Sequence, residues 1–203
     1  MNAIVLAGGK SSRLGRNKLV ECVGGRSLFD RVLDVLRQVT DQVIVVVARG
    51  QDLPVLRADM HPVVKTDVYP GKGALGGIYT GILASASLHS MVVGADMPFL
   101  DPTLMRYLME LAPGFDVVMP RIGGEIEPLH AVYSKRCLEP IQRQIEQEDL
   151  AIRRFLAQVR VRYVSTEEID AFDPGHLSFF NVNTLSDLRR AEELWGNANA
   201  SQA

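Results

Sequence analysis

The sequence has few cysteines, a weak net charge and no long apolar run. Cys22 and Cys137, its two cysteines, lie far apart and form no C-x-x-C pair, so a zinc site or a redox pair has little support. The formal net charge of −2 gives no broad electrostatic footprint for nucleic acid or a membrane surface. No window approaches the roughly 18 continuous apolar residues of a membrane span, and no signal peptide is evident. We therefore expect a cytoplasmic protein without a nucleic acid or membrane partner.

The length and composition suit one ordinary globular domain. The chain has 203 residues, of which 47% are hydrophobic, enough to build one core without disulfides or structural metals. The small polar residues at 196–203 predict a disordered tail. We expect a single domain over residues 1–195.

Short apolar runs alternate with amphipathic stretches along most of the chain. This alternation predicts an α/β fold, with a mainly parallel sheet in a three-layer α/β/α sandwich. The expected strands lie at 3–6, 42–47, 62–65, 90–95, 116–119, 129–133 and 159–164, with an extended segment at 179–182. The expected helices lie at 28–39, 53–58, 75–88, 102–111, 135–146, 150–156 and 186–195.

A glycine-rich, cationic loop follows the first expected strand. Open α/β sheets bind ligands at the carboxyl ends of their strands. The backbone N–H groups of Gly8 and Gly9 can approach phosphate oxygens closely, and further donors and charge come from Ser11, Ser12, Arg13 and Lys18. The alternative is a simple tight turn with solvated basic residues. Neither G-x-x-x-x-G-K-[ST] nor G-x-G-x-x-G is present, which disfavours a P-loop ATPase or an NAD dehydrogenase.

Two aspartates follow expected strands. Asp96 ends an almost wholly apolar strand and precedes Pro98, so its carboxylate is a candidate Mg²⁺ ligand beside nucleotide phosphates. The alternative role is to cap the next helix, for which Asp101 is better placed. Asp67 occupies a comparable position, and the glycine-rich run 70–77 after it predicts close approach to a base or phosphate, unless it is only a flexible loop. Lys72 in that run is a further candidate phosphate contact.

Polar residues also occur in two later segments. Asn181 and Asn183 alternate along the extended segment, so we expect both side chains on one face, as a recognition surface. Thr184 or Ser186 is expected to cap the last helix. His130 lies at another loop-to-strand junction, where it either touches substrate or has a structural role.

Four separated motifs together resemble the molybdenum cofactor guanylyltransferases, over about residues 3–190. They are Leu6-Ala7-Gly8-Gly9 with Ser12-Arg13-Leu14-Gly15 and Lys18, then Gly73-Ala74-Leu75-Gly76-Gly77, Asp96-Met97-Pro98-Phe99 and Phe180-Asn181-Val182-Asn183-Thr184. The resemblance implies a Rossmann-like nucleotidyltransferase fold. It also implies GTP and molybdopterin as substrates, Mg²⁺ as cofactor, and molybdoenzyme maturation proteins as further partners.

The resemblance implies a role for each matching residue. Arg13, Lys18 and Asp96 form the catalytic group, with Asp96 also as the metal ligand. Asn181 and Asn183 lie on the molybdopterin side of the cleft. The nucleotide contacts are Leu6, Ala7, Gly8, Gly9, Lys18, Asp67, Gly76, Gly77 and Asp96. The chain departs from the family pattern at Ala74, where relatives often have proline, and at Val46, where a polar asparagine is usual.

The expected reaction is transfer of GMP from GTP to the terminal phosphate of molybdopterin, with release of pyrophosphate. Positioning and charge neutralisation are expected to dominate such a step, because an ionised phosphate nucleophile needs no general base. The alternatives are cytidylyl transfer to molybdopterin, nucleotidyl transfer to a sugar phosphate, and a nucleotide-binding regulator without turnover.

Overall fold

A computed structural model describes residues 1–8 and 18–200, with residues 198–200 described by their backbone alone. Its strands are β1 (Asn2–Leu6), β2 (Cys22–Val23), β3 (Arg26–Ser27), β4 (Val43–Val47), β5 (Val63–Thr66), β6 (His89–Gly94), β7 (Val117–Ile122), β8 (Glu125–Ile126), β9 (His130–Ser134) and β10 (Val161–Val164). The α-helices are α1 (Leu28–Leu36), α2 (Gly73–Ala84), α3 (Pro102–Glu110), α4 (Leu138–Glu146), α5 (Ile152–Leu156), α6 (Thr166–Asp170) and α7 (Leu185–Ala200). Short 3-10 helices cover Lys18–Val20, Lys135–Cys137 and Leu177–Phe179.

The main sheet has the strand order β10-β7-β9-β6-β1-β4-β5, with β8 paired to the end of β7. β1 lies between β4 and β6 and is parallel to both. β9 runs antiparallel to its neighbours β6 and β7. The mainly parallel sheet expected from the sequence is therefore confirmed, and β1, β4, β5 and β6 all end at one edge.

Helices cover both faces of this sheet. Residues of β1 alternate between two cores, because successive side chains of a strand point to opposite faces. Ala3 and Val5 pack in a cluster with α1 and α3, whereas Ile4 packs in a cluster with α2, α4 and α5. The three-layer α/β/α arrangement is confirmed. The Asp101 side chain accepts from the backbone N–H groups of Thr103 and Leu104, which confirms it as the cap of α3.

Two expected elements are wrong. Residues 53–58 form no helix, because Pro54 disfavours helical backbone at Leu53 and so short a segment cannot offset the entropy of nucleation. Residues 179–182 form no strand, because both edges of the neighbouring β6 are already paired, with β1 and β9. The segment instead follows directly from the 3-10 helix that ends at Phe179.

The last helix continues past its expected end at Trp195 to Ala200, so residues 196–200 of the expected tail are helical. The single domain over residues 1–195 stays a prediction.

Gly81 of α2 allows this helix to pack closely on β1. A Cβ at Gly81 would collide with Cγ2 of Ile4 and lie 3.0 Å from its Cδ1. We expect Gly81→Ala to lower the free energy of unfolding by about 1–2 kcal/mol, since overpacking outweighs the gain in helix propensity. Urea unfolding measures this change. Gly196→Ala in α7, where a Cβ meets nothing within 4 Å, is the matched control and should be neutral or slightly stabilising. Equal stability of the two variants would contradict the close packing.

Among the described residues, no helix combines the length and the apolar character needed to cross a membrane.

Candidate active site

A cavity of about 580 Å³ opens at the edge of the sheet where β1, β4, β5 and β6 end. This is the location where open α/β sheets bind ligands. Six of the residues predicted to contact nucleotide line this cavity: Leu6, Gly8, Lys18, Asp67, Gly77 and Asp96. The topology thus brings together residues that are far apart in sequence. Gly9 and Arg13 lie outside the described residues.

Lys18 and Asp96 form an ion pair in this cavity. Lys18 Nζ lies 2.6 Å from Oδ2 of Asp96, and their side chains are only 20% and 10% exposed. Lys18 begins the 3-10 helix after the glycine-rich loop, and Asp96 follows the end of β6. Because β6 lies beside β1, the residues after these two strands meet. The pair is therefore a mostly buried cation and carboxylate at the cavity wall, and each can exchange its partner for a charged ligand.

Glycine at position 94 leaves room for the Asp96 carboxylate. A Cβ built on Gly94 would lie 2.6 Å from Oδ1 of Asp96, closer than real contacts allow. The backbone of Asp96 is held from the other side, because its carbonyl oxygen accepts from the N–H of Val182 at 2.9 Å. The position of the carboxylate therefore depends on both the strand before it and a segment much later in the chain.

The donor atoms of this site suit Mg²⁺. Mg²⁺ typically takes one or two protein carboxylates and completes its shell with phosphate oxygens and water. Asp96 supplies one such carboxylate inside the cavity, and the described residues contain no cluster of three or more His, Cys, Asp or Glu side chains that would form a complete protein site. The residues present thus fit a metal that is bound together with a substrate.

One carboxylate oxygen of Asp67 is fixed by hydrogen bonds from neighbouring residues. Its Oδ1 accepts from the backbone N–H of Tyr69 at 2.9 Å and from the hydroxyl of Thr80 at 3.0 Å. Oδ2 lies 3.3 Å from the position of a Cβ built on Gly76. The cavity is therefore bordered by a carboxylate whose orientation is fixed and which has acceptor capacity left. Thr80 could not be identified from the sequence, since only the packing of α2 against the end of β5 brings it to Asp67.

Close packing explains the glycines around the cavity. A Cβ on Gly76 would lie 2.8 Å from the carbonyl oxygen of Tyr69, and one on Gly77 would lie 3.2 Å from the side chain of Leu6. A Cβ on Gly8 would lie 3.1 Å from the backbone nitrogen of Ala48. Gly8 and Gly76 thus let two backbone segments approach closely, and Gly77 leaves room for the side chain of Leu6.

Gln51 is a polar residue of this region that the sequence did not single out. Its Nε2 donates to the carbonyl oxygen of Ala7 at 2.8 Å, and its Oε1 accepts from the N–H of Ala48 at 3.4 Å. The side-chain amide thus joins the ends of β1 and β4. Val46 and Ala74, where the chain departs from the family pattern, both line the cavity.

Asn181 and Asn183 lie outside the sheet because the expected strand does not form, and their shared recognition face stays a prediction. The segment is not extended into the sheet, and Asn181 Nδ2 donates to the carbonyl oxygen of Phe179 at 2.9 Å. The side chain of Asn183 is exposed, and its backbone N–H donates to Asp187. Both residues flank Val182, which contacts Asp96, so they lie near the site without lining the described cavity. Thr184 accepts from the N–H of Asp187 and caps α7, as expected.

His130 is a buried structural residue rather than a substrate contact. Its Nδ1 lies 3.1 Å from the carbonyl oxygen of Ser178, and its ring packs on Phe179 with centroids 4.6 Å apart. A hydrogen bond to a carbonyl requires the proton on Nδ1, so Nε2 is an acceptor, and it has no partner among residues 1–8 and 18–200. Burial lowers the pKa of His130 from 6.5 to about 4.

The lowered pKa of His130 predicts a pH-dependent stability. Between pH 6.5 and 4 the unfolded chain binds a proton at His130 and the folded chain does not. The stability that comes from keeping His130 neutral is therefore complete above pH 6.5 and is lost as the pH falls toward 4. The loss amounts to about 3 kcal/mol in the free energy of unfolding. Denaturant unfolding of the wild type and of His130→Asn, whose amide can still donate to Ser178, measures it. The variant should lack this part of the decline, and parallel pH profiles would contradict the assignment.

Comparison with known proteins identifies the family. The sequence model of the MobA-like NTP transferase domain matches residues 3–164. The chain belongs to this family. A MobA-like fold and a nucleotidyltransferase activity, both predicted from the sequence, are therefore confirmed.

Individual relatives of this MobA-like protein cover nearly its full length. The "Probable molybdenum cofactor guanylyltransferase" of Pelotomaculum thermopropionicum is 38% identical over 96% of this chain and 93% of its own. The molybdenum cofactor guanylyltransferase of Desulfosudis oleivorans is 34% identical over 95% of this chain and 94% of its own. The crystal structure of molybdopterin-guanine dinucleotide biosynthesis protein A from Archaeoglobus fulgidus superposes with a TM-score of 0.81 at 27% identity, over 97% of this chain and 100% of that one.

Proposed function

We propose that this MobA-like protein transfers GMP from GTP to the terminal phosphate of molybdopterin and releases pyrophosphate. The observation that carries the proposal is the mostly buried pair of Lys18 and Asp96 in a cavity at the carboxyl ends of the central strands. The pair offers a carboxylate for a divalent cation and a cation for phosphate. The names of the full-length relatives support guanylyl transfer as the reaction.

The reaction mainly requires that the reactants are positioned and that the phosphate charge is neutralised. An oxygen of the molybdopterin phosphate attacks the α-phosphorus of GTP, a new P–O bond forms, and the bond to the β-phosphate oxygen breaks in line with it. The nucleophile is already ionised, so no proton has to be removed. His130 is therefore not required as a base, in keeping with its complete burial and its low pKa of about 4.

Lys18 and Asp96 divide the charge neutralisation. Asp96 would hold Mg²⁺ together with phosphate oxygens, and the metal supplies positive charge next to the transferring group. Lys18, which then loses Asp96 as its partner, is free to donate to the triphosphate. Its ammonium offsets charge that builds on the α-phosphate and on the leaving pyrophosphate.

The remaining predicted roles belong to the same proposal. Asp67 contacts the nucleotide, Arg13 binds its phosphates as Lys18 does, and Asn181 and Asn183 contact molybdopterin. Leu6, Ala7, Gly8 and Gly9 contact the nucleotide, and Gly76 and Gly77 lie along its base and ribose. The cytoplasmic location and a contact with molybdoenzyme maturation proteins stay predictions.

Acceptor-dependent pyrophosphate release tests the proposal. The purified protein is incubated with Mg²⁺, with GTP or CTP or ATP, and with either molybdopterin or a sugar phosphate. We expect pyrophosphate from GTP and molybdopterin together. Because Val46 and Ala74 line the cavity in place of the usual residues, CTP is the rival donor that matters most. Release from CTP or with the sugar phosphate would replace the proposal, and binding of GTP without release would indicate a regulator.

A further inference from the structure

Lys72 has an unusual position next to the proposed nucleotide site. It lies between Gly71 and Gly73, and both glycines line the cavity. Their φ angles of +80° and +59° are left-handed, a conformation that glycine adopts without strain. Lys72 is the residue directly before α2, and its side chain makes no cap for that helix. The backbone on both sides of Lys72 therefore borders the cavity.

The Lys72 ammonium is paired with a carboxylate from a distant part of the chain. Its Nζ lies 2.6 Å from Oε1 and 2.7 Å from Oε2 of Glu148. Glu148 lies in the turn after α4 and is 78% exposed, whereas the Lys72 side chain is only 25% exposed. An ion pair with so exposed a partner contributes little to stability. Lys72 can therefore exchange Glu148 for a more negatively charged ligand at a small cost in free energy.

The charges around the cavity indicate which ligand would make that exchange. Among the described lining residues, Lys18 is the single cation, whereas two residues, Asp67 and Asp96, carry carboxylates. A nucleoside triphosphate adds several more negative charges, and a cation that neutralises phosphate in a half-enclosed site binds it more strongly than in water. Lys72 is a cation whose flanking residues already border this space.

We propose that Lys72 is a further triphosphate-binding residue, and that Glu148 holds it in reserve while the nucleotide is absent. The proposal rests on the proposed guanylyl transfer, because it takes GTP as the ligand of the cavity. When GTP binds, Lys72 leaves Glu148 and donates to a phosphate oxygen. The two flanking glycines permit the loop to turn. Glu148 then competes with the nucleotide for one ammonium group.

This competition predicts opposite effects of two neighbouring substitutions. Lys72→Ala should raise the Kd for GTP with Mg²⁺ by about 10-fold, as expected for the loss of one charge-assisted contact. Glu148→Gln should lower it by about 2- to 5-fold, the range of an exposed ion pair, and this gain should shrink at high salt. Glutamine is used because the backbone at Glu148 has a φ of +59°, and glycine would relieve that conformation as well.

The double variant separates competition from simple tethering. If Glu148 acts only through Lys72, then Lys72→Ala with Glu148→Gln should bind GTP as weakly as Lys72→Ala alone. Titration calorimetry gives the Kd of each protein. Lys135→Ala and Glu139→Gln, exposed or half-exposed charges elsewhere on the surface, are the matched controls and should leave the Kd unchanged.

Three results would overturn the inference. Weaker binding by both single variants would show that the ion pair only ties the loop to α4. An unchanged Kd for Lys72→Ala would show that Lys72 does not reach the phosphates. Tighter binding by the double variant than by Lys72→Ala would show that Glu148 acts by its general charge. Each result is read only beside wild-type protein that binds GTP and releases pyrophosphate, because failure of the wild type would reject the proposed function instead.

Discussion

Asp96→Asn is expected to lose about 10³-fold in kcat for pyrophosphate release while the chain stays folded. Asparagine keeps the volume of the side chain that fits above Gly94, but it carries no charge for a divalent cation. It also leaves Lys18 without its anionic partner. The effect should therefore fall on turnover and on the Mg²⁺ requirement. Initial rates over a range of Mg²⁺ concentrations, with thermal unfolding as the test of folding, measure both.

A second aspartate provides the control for Asp96. Asp52 is exposed in the loop after β4, so Asp52→Asn removes the same charge without touching the cavity. It should leave kcat and the Mg²⁺ dependence unchanged. Near-normal pyrophosphate release by folded Asp96→Asn would reject Asp96 as the metal ligand.

Lys18→Ala is expected to reduce kcat/KM for GTP by about 10²- to 10³-fold, the effect of removing one preorganised charge from a transition state. The KM for GTP should rise because the ground-state triphosphate also loses a cation, and kcat should fall because charge builds up during transfer. Lys18→Arg should recover only part of the loss, since a planar guanidinium does not match a point charge in a site built around one. Steady-state kinetics with GTP and molybdopterin separates the two parameters.

The Lys18 variant also removes the ion partner that the described part of the chain provides for the buried carboxylate of Asp96. That change lowers stability but favours any cation that binds there. Lys65→Ala, at an exposed position on the edge strand β5, is the control for lost positive charge. If Lys18→Ala binds and turns over GTP as well as Lys65→Ala does, Lys18 has no part in phosphate binding.

Strong apolar runs made most of the fold predictable from the sequence. The runs that became β1, β4 and β6 are buried almost throughout, and only a parallel sheet covered on both faces buries such strands. The predictions for residues 53–58 and 179–182 were wrong because the patterns behind them are short and local. The conformation of such segments depends on whether a partner strand or a packing surface is available, which cannot be inferred from the local sequence.

The candidate site was predictable in part, for a similar reason. Asp96 and Lys18 stand out because a charged residue directly after an apolar strand or a glycine-rich loop needs an explanation. Thr80 and Gln51 carry no such signal, because their roles come from hydrogen bonds to Asp67 and to Ala7 that only the packed chain forms. The strand expected at the two asparagines did not form, so their shared recognition face stays a prediction.

The bond between Val182 and Asp96 limits how short a working version of this protein can be. The matched family domain ends at Val164, the last residue of β10, and a fragment cut there would keep the whole main sheet. It would lose the N–H that holds the carbonyl of Asp96. We therefore expect the boundary of the sheet and the boundary of the catalytic unit to be different places in the chain. The smallest catalytic unit should extend at least to Val182, into a segment that adds no strand.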